Sequence, residues 1–85
     1  MTKIASVTAM ENHRLRISLS NGRKGVFDVS PYFDKGVFRE LRDVQYFRRV
    51  RVAYGGVAWP NGQDFSPETI EHELQQEQSP RKAIA

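Results

Sequence analysis

Residues 55–69 read G-G-V-A-W-P-N-G-Q-D-F-S-P-E-T and hold the only tryptophan, two of the four prolines and three of the six glycines. Each of these residue types either restricts the backbone or demands burial. Gly55-Gly56 supplies the positive φ angles of a tight hairpin turn. Trp59 is the largest anchor a small core has available. Pro60-Asn61-Gly62 reads as a turn that stops the strand. Ser66 then offers an oxygen at a helix N-cap, and Pro67 suits the first helical position, where no N–H is required. Glu68 favours the positive end of the helix dipole. Phe65 and Ile70 stand where a hydrophobic staple would place them. A fold for this chain must therefore set a hairpin, an indole anchor, a turn and a helix start in that order.

Upstream, the pattern changes to a period of two. Ile4 and Val7 begin an apolar segment, and Glu11-Asn12 is a polar turn. Leu15, Ile17 and Leu19 then alternate with Arg14, Arg16 and Ser18, the signature of a strand buried on one face. Asn21-Gly22 is the strongest short-range hairpin signal. The returning strand sets Gly25, Phe27 and Val29 on one face. Residues 3–29 thus read as a three-stranded antiparallel meander. Ser30-Pro31 ends it, because proline cannot donate to a ladder. Val37, Phe38, Leu41 and Val44 recur at spacings of three and four, which predicts a short helix over residues 37–42. Residues 48–54 read as a fourth strand and Val57-Ala58-Trp59 as a fifth, joined by a turn at Gly55-Gly56. The expectation is an α+β fold: an antiparallel sheet of about five strands (three-stranded meander, helix, hairpin, helix) in two layers. One domain spans residues 1–75, and the polar segment 76–85 is expected to be a disordered tail.

At 85 residues there is room for one domain and one modest core. The chain has no cysteine, which removes disulfides, zinc–thiolate sites and cysteine nucleophiles. No apolar run approaches a membrane span and no signal-peptide core is present, so the expected location is cytoplasmic. The net charge of +3 leans weakly toward an anionic partner. Only Arg48, Arg49 and Arg51 form a basic cluster, whereas a compact DNA-binding domain usually carries a denser basic face.

Three segments stand in a recognisable order: F-D-V-S-P-Y-F-D-K-G-V-F (residues 27–38), L-R-D-V-Q-Y-F-R-R-V (residues 41–50) and W-P-N-G-Q-D-F-S-P-E-T (residues 59–69). Together they resemble a small bacterial family known as domain of unknown function 2442, over about residues 3–74. The resemblance implies a small α+β domain with an antiparallel sheet and short helices. Some members of that family are encoded beside another short protein in arrangements like toxin–antitoxin pairs, and others carry a helix-turn-helix domain after this one. No such domain is expected after this one here, so DNA binding by an appended module is not carried over as an expectation.

Few residues form a chemical constellation. Asp64 is the most suggestive acid, and its simplest role is to accept backbone N–H bonds in the turn. Asp28, Tyr32 and Asp64 would make a polar cluster if the segments around Pro31 and Asn61 pack together. Glu68 and His72 share a side of the last helix, but two ligands fall short of a metal site. His13 has no evident partner. Ser66, His72 and Asp64 could be drawn as a triad, yet no nucleophile elbow surrounds Ser66, whose capping role explains it. The reading is therefore of no catalytic residues, no metal and no cofactor.

The expected function is a non-enzymatic binding module working through an unidentified protein partner, as the antitoxin-like or regulatory half of a two-protein system. Its surface is expected at Arg49, Arg51, Tyr54, Trp59, Asn61 and Asp64, since aromatics beside arginine make binding hot spots. The alternative is nucleic-acid binding through Arg14, Arg16, Arg48, Arg49 and Arg51, which would be steeply salt-dependent. A homodimer is compatible with the open sheet edge.

Overall fold

A computed structural model describes residues 2–76, with the side chain of Gln76 left aside. Of the tail expected over residues 76–85, residues 77–85 lie outside the described residues. The meander is present as read. β1 (Ile4–Met10), β2 (Arg14–Leu19) and β3 (Lys24–Asp28) pair antiparallel, with Leu15 opposite Phe27 and Ile17 opposite Gly25. Period-two alternation sends Leu15, Ile17, Leu19, Phe27 and Val29 into the core. Between β1 and β2 the turn is one residue longer than Glu11-Asn12 alone, taking in Glu11–His13, and both Asn12 (φ 64) and His13 (φ 57) occupy the left-handed region.

Three features differ from the sequence expectation. Residues Gly36–Arg42 wind as a 3₁₀ helix, and the α-helix, α1 (Val44–Phe47), follows it. Spacings of three and four fit either helix over so short a run. What separates the two is Asp43, whose extended backbone interrupts the winding and whose carboxylate caps α1 by accepting from Gln45 N and Tyr46 N. Next, the fourth strand is shorter than residues 48–54. β4 covers only Arg51–Ala53, and the two-residue turn to β5 (Gly56–Ala58) is Tyr54-Gly55 rather than Gly55-Gly56. Finally, the chain makes two antiparallel sheets, not one of five strands. β6 (Asp64–Phe65) pairs with β5 to give the order β4-β5-β6. The first sheet runs β1-β2-β3-β7, where β7 is only the pair Gln75–Gln76 laid against Gly25 and Val26. Gln75, the last residue of the expected domain, and Gln76, the first of the expected tail, are thus both paired.

A backbone bond from Ile4 N to Gly55 O (2.8 Å) ties the start of the first sheet to the hairpin turn of the second. Between the sheets lies the core, centred on Phe27, Phe47, Trp59, Phe65, Leu41 and Ile70. Phe65 sits at its crossing point, 5.0 Å edge-on from Phe27, 4.9 Å from Tyr32 and stacked at 5.0 Å on Phe38. That explains why the two-residue β6 is worth forming. Gly56 permits the approach, because a Cβ there would overlap the Phe65 backbone oxygen. α2 (Pro67–Glu73) starts as read: Ser66 Oγ accepts from Thr69 N (3.2 Å), Pro67 is in the first turn, and Ile70 is buried.

Candidate functional site

The stretch around Trp59 is a structural keystone. Trp59 N donates to Gln63 O (2.9 Å) and Gly62 N donates to Trp59 O (3.1 Å), closing a tight loop in which Gly62 takes φ 103. Only glycine adopts that angle readily. The indole is 1% exposed and donates from Nε1 to Phe47 O (2.8 Å). Trp59 therefore does not belong to an exposed interaction surface, where the sequence reading had set it. Its bulk is fully used by the core.

Gln63, overlooked in the sequence, is the buried polar centre of this region at 2% exposure. Its Oε1 accepts from Tyr46 Oη (2.6 Å), and its Nε2 donates to Val37 O (2.9 Å) and to Glu40 Oε1 (2.9 Å). Asn61 extends the network, donating from Nδ2 to Glu40 Oε2 (2.7 Å) and from its backbone N to Tyr46 Oη (2.8 Å). One carboxylate thus clamps the loop to the 3₁₀ segment. A glutamine that follows Asn-Gly in a turn reads as solvated from sequence alone, so no local signal could reveal this role.

Asp64 plays a smaller part than expected. It is exposed, and among the described residues its carboxylate has no bonding partner. The loop is closed by its own backbone, and among the described residues the backbone N–H bonds expected at Asp64 are not made; Asp43 and Asp28 accept such bonds in their own segments. Asp28 Oδ1 accepts from Ser30 N (3.0 Å) and Ser30 Oγ (2.8 Å). Tyr32 shares its hydroxyl proton between the two oxygens of Glu73, at 2.8 and 2.7 Å. Burial first, then the hydrogen bond and negative charge of Glu73, push the Tyr32 phenol up to about 12. Among the described residues no hydrogen bond joins Asp28, Tyr32 and Asp64 into a cluster.

The other candidates resolve simply. His13 has a partner after all: its Nε2 donates to Arg42 O (3.1 Å), and its ring meets Phe33 and Phe47 edge-on. Glu68 and His72 are exposed on α2, and among the described residues no group of three ligating side chains could hold a metal ion. A hollow of about 280 Å³ is lined by Met10, His13, Val44, Phe47 and Arg48, and another of about 270 Å³ by Ser6, Thr8, Arg16 and Lys24. Among the described residues no helix is long and apolar enough to cross a membrane.

The hairpin β4–β5 presents the most exposed large side chains of the second sheet. Tyr54 is 92% exposed on a backbone held at φ 55, and Val52 is 42% exposed. Arg48, Arg49 and Arg51 are exposed beside them, and none has an ion pair or side-chain hydrogen bond among the described residues. By contrast Arg42 pairs with Asp34 (3.0 Å) and Arg23 with Glu71 (3.6 Å). Arg14 and Arg16, the other members of the basic set, project from β2 in the first sheet. Of the expected interaction residues, Arg49, Arg51, Tyr54, Asn61 and Asp64 are exposed, while Asn61 is occupied by Glu40.

No curated protein and no solved structure matches this chain. The family model described as Protein of unknown function (DUF2442) matches residues 4–76, from the first residue of β1 to the last of β7. The chain belongs to the DUF2442 family.

Proposed function

We propose that this chain is a non-enzymatic, cytoplasmic binding module that acts by protein–protein contact through Arg49, Arg51 and Tyr54. The observation that carries this reading is Tyr54, almost fully exposed at a hairpin tip in the left-handed region. A non-glycine residue pays roughly 1–2 kcal/mol for that conformation. An exposed phenol ring on such a backbone gains nothing from the core to offset it. Tyrosine and arginine are the side chains that dominate binding hot spots, and the arginines beside this ring lack internal partners among the described residues.

The mechanism is occlusion: a preformed hairpin covers a partner's active surface, and the chain serves as the regulatory or antitoxin-like half of a two-protein system. The test is affinity capture from native lysate with the wild-type chain and with Tyr54→Ala and Arg51→Ala, each with and without nuclease. A stoichiometric protein that survives nuclease and is lost with both variants is expected. Capture unchanged by both substitutions, or recovery that vanishes with nuclease, would overturn the reading, the latter in favour of nucleic acid.

A further inference from the structure

We propose that Asn21-Gly22 is a site of spontaneous modification, where the asparagine loses ammonia and takes up water to become aspartate or isoaspartate, and that Glu40 shields Asn61-Gly62 from the same reaction. This does not depend on the contact face proposed above. The chain has two Asn-Gly pairs, and both sit in loops of the same build. In one, Leu19 N donates to Arg23 O (2.8 Å) and Gly22 N to Leu19 O (3.0 Å). In the other, Trp59 N donates to Gln63 O (2.9 Å) and Gly62 N to Trp59 O (3.1 Å). The glycine is left-handed in each, at φ 94 and φ 103, and both asparagines are exposed to water. The reaction begins when the glycine nitrogen, its proton lost to solvent, attacks Cγ of the asparagine. An N–C bond forms, the Cγ–Nδ2 bond breaks, and the amide nitrogen takes a proton from solvent and leaves as ammonia. Water then opens the cyclic imide at either carbonyl. Glycine obstructs this ring closure least, because it has no side chain.

The two loops differ at the asparagine side chain. Asn21 Oδ1 accepts the Arg23 N–H (2.9 Å), and the Asn21 amide nitrogen has no partner among the described residues. Ser20 is tied to Lys3 by two bonds, but neither involves the asparagine. Asn61 is held at both ends: Nδ2 donates to Glu40 Oε2 (2.7 Å) and its backbone N to Tyr46 Oη (2.8 Å). Its Cγ can meet Gly62 N only when the side chain turns, which breaks the charge-assisted bond to Glu40. A bond to a charged group shifts such an equilibrium by more than about tenfold. The Glu40 carboxylate also opposes the negative charge that develops on the attacking nitrogen. Conversion at Asn61 would set a second carboxylate against Glu40. At Asn21 an aspartate retains the acceptor for Arg23 N, whereas isoaspartate adds a main-chain carbon between β2 and β3. Either product lowers the net charge of +3 by one.

The test holds the full chain in mildly alkaline buffer, folded in one series and unfolded by guanidinium chloride in another. Samples taken over time are digested, and mass spectrometry with electron-transfer fragmentation separates asparagine, aspartate and isoaspartate at each position. In the folded chain Asn21 is expected to convert at least about tenfold faster than Asn61. In the unfolded chain the two rates should converge, since the flanking structure is gone. Glu40→Ala should raise the Asn61 rate in the folded chain toward that of Asn21 and leave Asn21 unchanged. If circular dichroism shows that Glu40→Ala does not fold, Glu40→Gln keeps the volume, drops the charge and should move the Asn61 rate in the same direction. Equal folded rates, faster conversion at Asn61, or Asn21 slowed by folding as strongly as Asn61 would each overturn the assignment of Asn21. An Asn61 rate unmoved in a folded Glu40 variant would overturn the shielding by Glu40.

Discussion

Replacing Gln63 by leucine keeps the side chain's approximate volume and removes its polar atoms. Three hydrogen bonds are lost: from Tyr46 Oη, to Val37 O and to Glu40 Oε1. Each is worth about 1 kcal/mol net, and a buried donor left without an acceptor costs about 1–3 kcal/mol. The Tyr46 hydroxyl proton becomes such an orphan, while Glu40 retains Asn61 and is exposed enough to be rehydrated. Burial of the leucine methyls offsets part of this. The expected net loss is about 2–4 kcal/mol, which for a domain of this size lowers Tm by on the order of 10–25 °C. Urea denaturation gives the free energy directly. Gln63→Glu should cost more than Gln63→Leu at pH 7, since it sets a second carboxylate against Glu40, and part of that excess should return at pH 4. A Gln63→Leu change below about 0.5 kcal/mol would refute the idea that this network fastens the Trp59 loop to the 3₁₀ segment.

Other expectations can be checked with the same assay. Gly56→Ala should destabilise by at least about 2 kcal/mol or prevent folding, because the added methyl meets the Phe65 backbone rather than a flexible side chain. Asp43→Ala should cost about 1 kcal/mol as a lost N-cap, while Asp64→Ala should stay within about 0.5 kcal/mol; the reverse order would restore Asp64 as the capping acid. Tyr32 titrates near 12 in the folded chain against 10.0 for the free phenol. Its folded pKa is raised, so its contribution is complete below about pH 10 and is lost as pH rises toward 12. The stability difference between wild type and Tyr32→Phe should therefore shrink across that window, and a difference constant from pH 9 to 12 would contradict the Tyr32–Glu73 bond.

Local signals were legible where one rule dominated. The alternation of Leu15, Ile17 and Leu19 and the Ser66-Pro67 helix start each depend on neighbours in the chain, and each is present, whereas the hairpin signalled by Asn21-Gly22 forms through a longer turn in which Gly22 N donates to Leu19 O and only Gly22, not Asn21, takes a positive φ. What stayed hidden depends on contacts distant in sequence. β6 exists because Phe65 packs between Phe27 and Phe38, and two residues carry no strand period of their own. The two sheets are tied by the bond from Ile4 N to Gly55 O, a contact that no alternation encodes. The site divided in the same way. Arg49, Arg51 and Tyr54 were recognisable as surface because a small core cannot bury every aromatic. Trp59 shares their segment but is consumed by the core, and Gln63 is polar yet buried because Glu40, Tyr46 and Val37 converge on it from far along the chain.

The most direct measurement of the central claim is amide hydrogen exchange of the chain alone and in complex with the partner captured through it, resolved along the sequence by mass spectrometry. The account predicts slowed exchange concentrated in residues 49–54, with little change over residues 61–66 and over the outer face of β2. Protection centred on Arg14 and Arg16, or on the Asn61–Asp64 loop with residues 49–54 unchanged, would contradict it.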